Sequence, residues 1–466
     1  MTQVLRQLAG KKRLRATDPL LPTRPLGPVA GTSESTPSTP PILLCMSWSK
    51  RAYEEQQERG WKSSEQNVCR DCVDDEALAQ ALAQDEGPNL ICDFCHRSPA
   101  TPMNTLLRVF VKGMKNVYGL ADNEGIFYDS REGGYQANVL DSSEIVEEFY
   151  DVLTGDGLLE AVQDCMIENT WVELNFAWRR RDTVLSEGWS AFCDLVKNRN
   201  RYFFWVQDDD DAAEEAQSTG EILPSMMLET IGEHFEYLPG LVTQLPAGTG
   251  IWRARECASS AGIEPRASNL GTVPDEYATQ ANRMSPAGIP MFYGSSDPET
   301  ALREINVRAK NEWGTVGQFE LSRASTIIDF TRLPKPNMFD ERYGPYWQEL
   351  GFLQEFAANL SEPARETHEQ IDYVPTQIVT EYFFHVLKTE KRVDGLIYRS
   401  AQTGSPCAVL NVKNSGCIQR DTEYEAPSSA SYLFLIQSAR DASIRKADPS
   451  WRSAPDTIRQ MQTSDS

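Results

Sequence analysis

The chain has 466 residues, of which 40% are hydrophobic, so it is long enough for two or three domains with apolar cores of their own. Its formal net charge of −23 and its pI of about 4.7 would repel a phosphate backbone, which argues against general nucleic-acid binding. The sequence has no run of about 18 apolar residues, which argues against a membrane span.

The N-terminal segment is rich in Pro, Ser and Thr and shows no hydrophobic period, so we expect residues 1–45 to be disordered. Basic residues at positions 11–15 are not followed by an apolar stretch, so they do not have the pattern of a secretory signal. A more regular pattern begins at Met46, and we hypothesise that translation starts near this residue.

Two cysteine pairs have a metal-binding spacing. Cys69-x-x-Cys72 and Cys92-x-x-Cys95 are separated by 19 residues, and each pair can bring two thiolates to one turn, as tetrahedral Zn²⁺ requires. Four thiolates leave no open coordination position, so the pattern predicts a structural zinc rather than a catalytic one. The alternatives are four ordinary thiols, or His96 as a replacement ligand.

The cysteine pairs lie in a segment that we assign to residues 46–100. Ten cysteines in 466 residues are too few for a disulfide scaffold, and they indicate a reducing compartment, most simply the cytoplasm. Residues 101–240 form a mainly helical region, because apolar residues recur at helical spacing around positions 145–153 and 189–196. The acidic run at 208–215 is typical of a solvated loop.

From about residue 245 the pattern changes to short apolar runs that alternate with turns and helices, which predicts a mixed α+β domain over 245–420. Strands are expected near 250–254, 291–293, 394–398 and 407–412. The segment Ser296-Asp-Pro-Glu299 is a capping-box pattern with proline in the first turn, so we expect a helix there that carries Glu304. Residues 421–466 are assigned to a C-terminal extension with a polar end.

Three polar segments stand out in this second half. They are Ile251-Trp-Arg253-Ala-Arg255, then Asn282-Arg283-Met-Ser-Pro-Ala-Gly288-Ile-Pro-Met-Phe-Tyr293 running on to Ala301-Leu-Arg-Glu304, and then Asp394-Gly-Leu-Ile-Tyr398-Arg399-Ser400. Taken singly, each polar residue has an ordinary structural interpretation as a surface, core, helix or turn residue.

Together the three segments resemble the RES domain, which is named for an Arg, a Glu and a Ser. The resemblance covers about 245–420 and places the three residues at Arg253, Glu304 and Ser400, with Tyr293 as the active-site tyrosine. The cysteine-containing front part is similar to the N-terminal region of proteins of the HEPN/RES type. The resemblance implies an ADP-ribosyltransferase-like domain with a split β-sheet behind a zinc-binding, helical region, and NAD⁺ as the substrate.

The chemistry of NAD⁺ fits these residue types. Arg253 and Arg283 are candidates to bind its pyrophosphate, and Arg283 could instead bind an attacking phosphate. Cleavage of the nicotinamide bond passes through an oxocarbenium-like state that the Glu304 carboxylate would stabilise. Tyr293 would offer a ring face and a hydroxyl, and Ser400 would bind the ligand or hold Glu304.

Trp252 and Gly288, which lie inside the same motifs, complete the set of candidate substrate-binding residues. The acceptor of the ADP-ribosyl group stays open, since inorganic phosphate would make the protein an NAD⁺ phosphorylase, water a glycohydrolase, and a side chain a protein ADP-ribosyltransferase. Glu423-x-Glu425 resembles the paired glutamates of arginine-directed transferases but lies beyond Ser400.

Two other classes of function were considered. A RES-like domain could bind NAD⁺ as a sensor without cleaving it, although the full Arg–Tyr–Glu–Ser set argues against that. A HEPN ribonuclease is disfavoured because no histidine follows an arginine at the spacing of four to six residues that HEPN nucleases carry. Family members include toxins that destroy NAD⁺, which implies a neutralising or regulatory protein partner.

Overall fold

The computed structural model describes residues 42–129, 134–174, 179–206, 220–259, 261–306, 310–363, 365, 368–420 and 433–443. The chain divides into two compact units, Met1–Glu55 and Gln56–Ser466, and helix α1 (Ile42–Arg59) spans the division. None of the described helices combines the length and the apolar content that crossing a membrane requires.

The front part of the second unit mixes short helices with short strands. Its helices are α2 (Glu76–Gln84), α3 (Met103–Met114), α4 (Ser142–Glu147), α5 (Leu158–Cys165) and α6 (Arg181–Asp194). Its strands are β1 (Asn67–Val68), β2 (Thr101–Pro102), β3 (Tyr118–Leu120), β4 (Tyr128–Asp129), β5 (Gly134–Tyr135), β6 (Val139–Asp141) and β7 (Thr170–Glu173). They form two antiparallel pairs, β1–β2 and β4–β5, and a three-stranded sheet in the order β3–β7–β6.

One buried apolar cluster holds the front part from Trp61 to Trp171 together around α3, whose sequence places apolar residues on most of its faces. Buried residues of α6, such as Phe192, instead join a core of the second half. A loop from the second half enters the cluster around α3: Phe339 is 4% exposed and stacks on Phe110 of α3 with ring centroids 5.6 Å apart. Asn116 Nδ2 donates to the carbonyl of Met338 at 2.8 Å, and Arg108 pairs with Glu341. We call residues 335–344 the docking loop.

The second half is built on one nine-stranded mixed sheet. Its strands are β8 (Val242–Leu245), β9 (Gly250–Cys257), β10 (Phe292–Ser295), β11 (Trp313–Leu321), β12 (Ser325–Asp329), β13 (Gly395–Arg399), β14 (Pro406–Leu410), β15 (Cys417–Gln419) and β16 (Leu433–Ser443). Their order is β15–β16–β11–β9–β10–β14–β13–β12–β8.

The sheet is split between β9 and β10. Among the described residues a single pair, Ser295 with Trp252, joins these two strands, whereas β9 and β11 are paired over eight residues. Gly294 makes this close crossing feasible, since a Cβ there would lie 2.8 Å from the carbonyl oxygen of Trp252. The strands therefore form one lobe of four and one lobe of five that meet at a narrow junction.

Helices cover this sheet on both faces. They are α7 (Met227–Tyr237), α8 (Ala267–Leu270), α9 (Pro298–Asn306), α10 (Trp347–Ser361), α11 (Glu369–Asp372) and α12 (Val374–His385). Tyr398, Cys407 and Val409 face a large core that includes Phe356 of α10 and Phe383 of α12. We call this side of the sheet the helical face.

The opposite side of the sheet has a smaller core of its own. Ile251, Phe292 and Phe319 pack there with Leu270 of α8. Because neighbouring residues of a strand point to opposite faces, β12 supplies Ile327 to this core and Ile328 to the core of the helical face. We call this side of the sheet the α8 face.

The α+β class is confirmed, and each of the four strands expected in the second half overlaps an observed strand. Strand β16 was not predicted, although it pairs with β11 along much of its length. The acidic run at 208–215 and the pair Glu423 and Glu425 lie outside the described residues. So do residues 1–41 of the segment 1–45 that we expected to be disordered, whereas residues 42–45 lie in helix α1, contrary to that expectation.

Candidate active site and cysteine cluster

Glu304 lies near the C-terminal end of α9, the helix that follows β10. The capping box expected from Ser296 and Glu299 is replaced by a cap from Asp297, whose Oδ1 accepts a hydrogen bond from the Thr300 amide at 2.8 Å. The Thr300 hydroxyl donates to Oδ2 of the same carboxylate, also at 2.8 Å. Asp297 therefore fixes the first turn, because the helix begins one residue after it.

Ser400 holds the carboxylate of Glu304. The serine follows β13, is 4% exposed, and its hydroxyl donates to Glu304 Oε1 at 2.5 Å. The serine Oγ in turn accepts hydrogen bonds from the amides of Gln402 and Thr403 at 3.1 and 3.2 Å. Two amide donors orient the hydroxyl toward Glu304, so the carboxylate is fixed by a short, charge-assisted hydrogen bond. Two residues 96 positions apart are thereby brought together.

Arg283 supplies a cation close to this carboxylate. Burial by itself would lower the pKa of Arg283, but Tyr398, Glu304 and Tyr373 together raise it. The guanidinium lies 5.7 Å from the ring centroid of Tyr398, and its Nε is shielded from solvent without a hydrogen-bond partner. An arginine whose charge is supported in this way stays protonated and can bind a phosphate.

The loop that carries Arg283 is clamped from α12. Thr376 donates from its hydroxyl to the carbonyl of Arg283, and Gln377 Nε2 donates to the carbonyl of Asn282 at 2.8 Å. Both clamping side chains are buried, at 7% and 8% exposure. Since the donors bind backbone carbonyls on either side of the Cα of Arg283, they fix the direction of its side chain.

Tyr293 secures the same loop from the sheet. Its hydroxyl accepts a hydrogen bond from the Met284 amide at 3.1 Å and donates to Ser285 Oγ at 3.0 Å. Burial raises the pKa of Tyr293, so the phenol stays protonated. The hydroxyl is thus engaged with the chain itself, and the residue positions the loop next to Arg283.

Arg253 approaches the site from the α8 face. Its Nη1 donates to the carbonyl of Tyr293 at 2.5 Å, and its guanidinium lies 5.1 Å from the ring centroid of Phe292. Burial and the neighbouring Arg255 lower the pKa of Arg253 to about 9, which leaves it protonated at neutral pH. It therefore joins Tyr293 at the split in the sheet but has no direct hydrogen bond to Glu304 or Ser400 among the described contacts.

The two other candidate substrate-binding residues lie apart from this cluster. Trp252 is 7% exposed and packs with Leu302 and Val316 beneath α9, so its side chain contributes to a core. Gly288 is exposed, with a φ of +84° that favours glycine, and its amide donates to the carbonyl of Ala278 at 2.7 Å. Gly288 closes the base of the loop that carries Arg283.

Tyr398 and Cys407 lie near Glu304, and the sequence analysis did not include them among the candidate site residues. Burial raises the pKa of both Tyr398 and Cys407, and the charge of Glu304 raises them further. Tyr398 precedes Ser400 by two residues, so strand alternation could have placed both on one face. No sequence signal pointed to Cys407, because its proximity depends on the pairing of β13 with β14.

The four predicted metal ligands converge in the front part. The Sγ atoms of Cys69, Cys72, Cys92 and Cys95 all lie within 4.8 Å of one another, and three of the pairs are 3.4 to 3.7 Å apart. A tetrahedral zinc with bonds of about 2.3 Å sets sulfur–sulfur distances of about 3.8 Å. The donor set therefore fits a tetrahedral thiolate metal site, and His96 is not part of it.

The amide of Cys69 donates to Cys92 Sγ at 3.3 Å. Burial raises the pKa of Cys69 to about 11 and also raises that of Cys72, so a cation is needed to make these thiols thiolates at neutral pH. Cys69, Cys72 and Cys92 also belong to the buried core of the front part.

Comparison with known families gives two matches. A model described as HEPN/RES N-terminal domain 1 matches residues 85–210, and a model described as RES domain matches residues 251–431. The first match includes Cys92 and Cys95 but begins after Cys69 and Cys72, and the second contains all four of Arg253, Tyr293, Glu304 and Ser400. No curated protein and no solved structure matches the chain significantly.

Proposed function

The chain is a RES-domain protein with a HEPN/RES N-terminal domain, and we propose that its RES domain cleaves NAD⁺ at the nicotinamide–ribose bond. A RES domain is consistent with action on NAD in general. The observation that supports the finer proposal is the 2.5 Å hydrogen bond from Ser400 to Glu304, within electrostatic range of Arg283.

Glu304 is the catalytic carboxylate of this proposal. Departure of nicotinamide leaves positive charge on the ribose ring, and a fixed carboxylate nearby stabilises that charge in the transition state more than in the ground state. Ser400 is a positioning residue, because its hydroxyl holds Oε1 in one orientation. Glu304 is only partly buried, so its carboxylate stays within reach of a ligand.

The arginines would bind the phosphates of the substrate. Arg283 and Arg253 flank Tyr293 from the helical face and the α8 face of the sheet, and each has an Nε without a partner. A guanidinium binds phosphate oxygens through two parallel hydrogen bonds, which matches the pyrophosphate of NAD⁺. Tyr293 serves this binding indirectly, since it holds the loop that presents Arg283.

We propose inorganic phosphate or water as the acceptor, which makes the protein an NAD⁺ phosphorylase or glycohydrolase that acts as a toxin or defence effector. Transfer to a protein side chain is the alternative. Loss of NAD⁺ harms the cell that makes the enzyme, so a neutralising or regulatory protein partner is part of the proposal.

For the cysteine cluster we propose a structural Zn²⁺ held by Cys69, Cys72, Cys92 and Cys95. The support is the compact arrangement of four sulfur atoms. We also propose a reducing compartment such as the cytoplasm, which is consistent with nine cysteines, from Cys69 to Cys417, that form no disulfide in the described part of the chain.

The test is NAD⁺ consumption by purified protein, with nicotinamide and nucleotide products separated by chromatography, with and without inorganic phosphate. Phosphate-dependent loss with an ADP-ribose phosphate product supports the phosphorylase, and phosphate-independent release of ADP-ribose supports the glycohydrolase. Glu304→Gln should abolish the loss. Glu299→Gln is the matched control, because Glu299 is an exposed residue of the same helix that pairs with Arg303. Full activity of Glu304→Gln would refute the proposal.

A further inference from the structure

A second arginine lies beside Arg253 on the α8 face. Arg255 follows it by two residues on β9, so both side chains point to this face and their Cα atoms are about 7 Å apart. The charge of Arg255 acts on Arg253 and contributes to the lowering of its pKa. Both arginines have an Nε that is shielded from solvent and lacks a hydrogen-bond partner.

The known partners of this pair are neutral. Arg253 donates to the carbonyl of Tyr293 at 2.5 Å, and Arg255 Nη2 donates to the carbonyl of Gly271 at 2.6 Å. Among the described residues, the ionisable groups that act on Arg253 are Arg255, Tyr293 and the thiol of Cys417, and Cys417 also acts on Arg255; none of these is a carboxylate. Burial raises the pKa of Cys417, so this thiol is uncharged at neutral pH and is no counter-ion.

Two adjacent guanidinium groups with only neutral acceptors are costly to bury. Their repulsion and their loss of hydration would both be offset by a compact ligand with two negative charges. Inorganic phosphate carries up to two negative charges near neutral pH, the pyrophosphate of NAD⁺ carries two in all, and both offer several acceptor oxygens to guanidinium forks. A carboxylate carries only one charge and would leave the second arginine uncompensated.

We infer that Arg253 and Arg255 together form a binding site for a phosphate or pyrophosphate group at the split between β9 and β10. The inference rests on the proposed function for the source of that group, which is either the pyrophosphate of NAD⁺ or free inorganic phosphate as the attacking co-substrate. Arg255 is the residue that this inference adds. Neither cleavage of the glycosidic bond nor the Arg–Tyr–Glu–Ser set requires a second arginine on β9.

The experiment measures equilibrium binding by calorimetry to the full-length Glu304→Gln protein, which should not turn over its ligand. The probes are ADP-ribose, which carries the pyrophosphate, and inorganic phosphate, each alone and in competition. The added substitution is Arg255→Gln. Its matched control is Arg266→Gln, because Arg266 is an exposed arginine close in sequence whose guanidinium pairs with Glu264 at 2.8 Å.

We expect Arg255→Gln to raise the Kd of the phosphoryl ligand at least about tenfold, and Arg266→Gln to change it less than about twofold. A rise for ADP-ribose alone assigns the site to the dinucleotide, and a rise for inorganic phosphate alone assigns it to the co-substrate. Unchanged Kd values for both probes in a folded Arg255→Gln protein would overturn the inference, as would a failure of both probes to bind before Arg255 is changed.

If Arg255→Gln does not fold, the unmutated protein answers the same question. Labelling with phenylglyoxal, read by peptide mass spectrometry, should be slowed at Arg255 by saturating ADP-ribose or phosphate, and should be unchanged at Arg266. Equal labelling of Arg255 with and without both ligands would overturn the inference. Binding without any NAD⁺ cleavage by the wild type would contradict the proposed function alone, so the two failures are distinguishable.

Discussion

The hydroxyl of Ser400 donates a 2.5 Å hydrogen bond to the carboxylate of Glu304, and two backbone amides hold that hydroxyl in place. The two residues come from separate elements, the end of β13 and helix α9. Their contact makes the carboxylate a fixed charge rather than a mobile surface group, which is the property that transition-state stabilisation needs.

Ser400→Ala should lower kcat for NAD⁺ cleavage about 10- to 100-fold with little change in KM. A hydrogen bond to a charged group contributes about 1.5–3 kcal/mol, and here the loss falls on the orientation of Glu304 rather than on substrate binding. Steady-state kinetics check this. Ser361→Ala is the control, because the Ser361 hydroxyl donates to the carbonyl of Ala357 in its own helix. An equal loss in both variants would show a general effect on folding.

The hydrogen bonds by which α12 holds the Arg283 loop predict an effect on KM rather than on kcat. Thr376→Val removes the donor to the Arg283 carbonyl, so the guanidinium should lose its fixed position and KM should rise about tenfold. Thr376→Ser keeps the hydroxyl and should restore most of the affinity. If the serine variant is as defective as the valine variant, the hydrogen bond is not the cause.

The cysteine cluster predicts one tightly bound Zn²⁺ per chain, measurable by elemental analysis. Cys72→Ser should release the metal and destabilise the front part, because three of the four ligands are also core residues. Cys193→Ser should keep the metal, since this thiol lies outside the cluster. Full zinc content in Cys72→Ser would contradict the assignment of the ligands.

The docking loop predicts that the two halves of the second unit stabilise each other. Phe339→Ala should lower the free energy of unfolding by about 3–5 kcal/mol, because the ring is buried against Phe110 and Phe149. Glu341→Gln removes only the half-exposed pair with Arg108 and should cost less than about 1 kcal/mol. Denaturant titration compares the two. Equal costs would mean that the loop is not held by its apolar contact.

Much of the fold was readable from local patterns. The strands β9, β10, β13 and β14 and the helix that carries Glu304 follow from apolar runs, turn residues and a proline in a first turn. The cysteine cluster followed from spacing, because Cys-x-x-Cys is a local geometric requirement of a metal. Strand β16 was missed because its pairing with β11 is a long-range contact without a turn between the two strands.

The sequence by itself determined the class of fold, the candidate ligands of a metal, and the residues Arg253, Tyr293, Glu304 and Ser400 as a set. The tertiary structure decided how they relate. It joined Ser400 to Glu304, turned the Tyr293 hydroxyl toward the Arg283 loop, buried Trp252 in a core, and placed Arg253 beside Arg255. Sequence patterns record which face of an element is apolar, whereas the meeting of two polar side chains depends on the register and crossing of elements far apart in the chain.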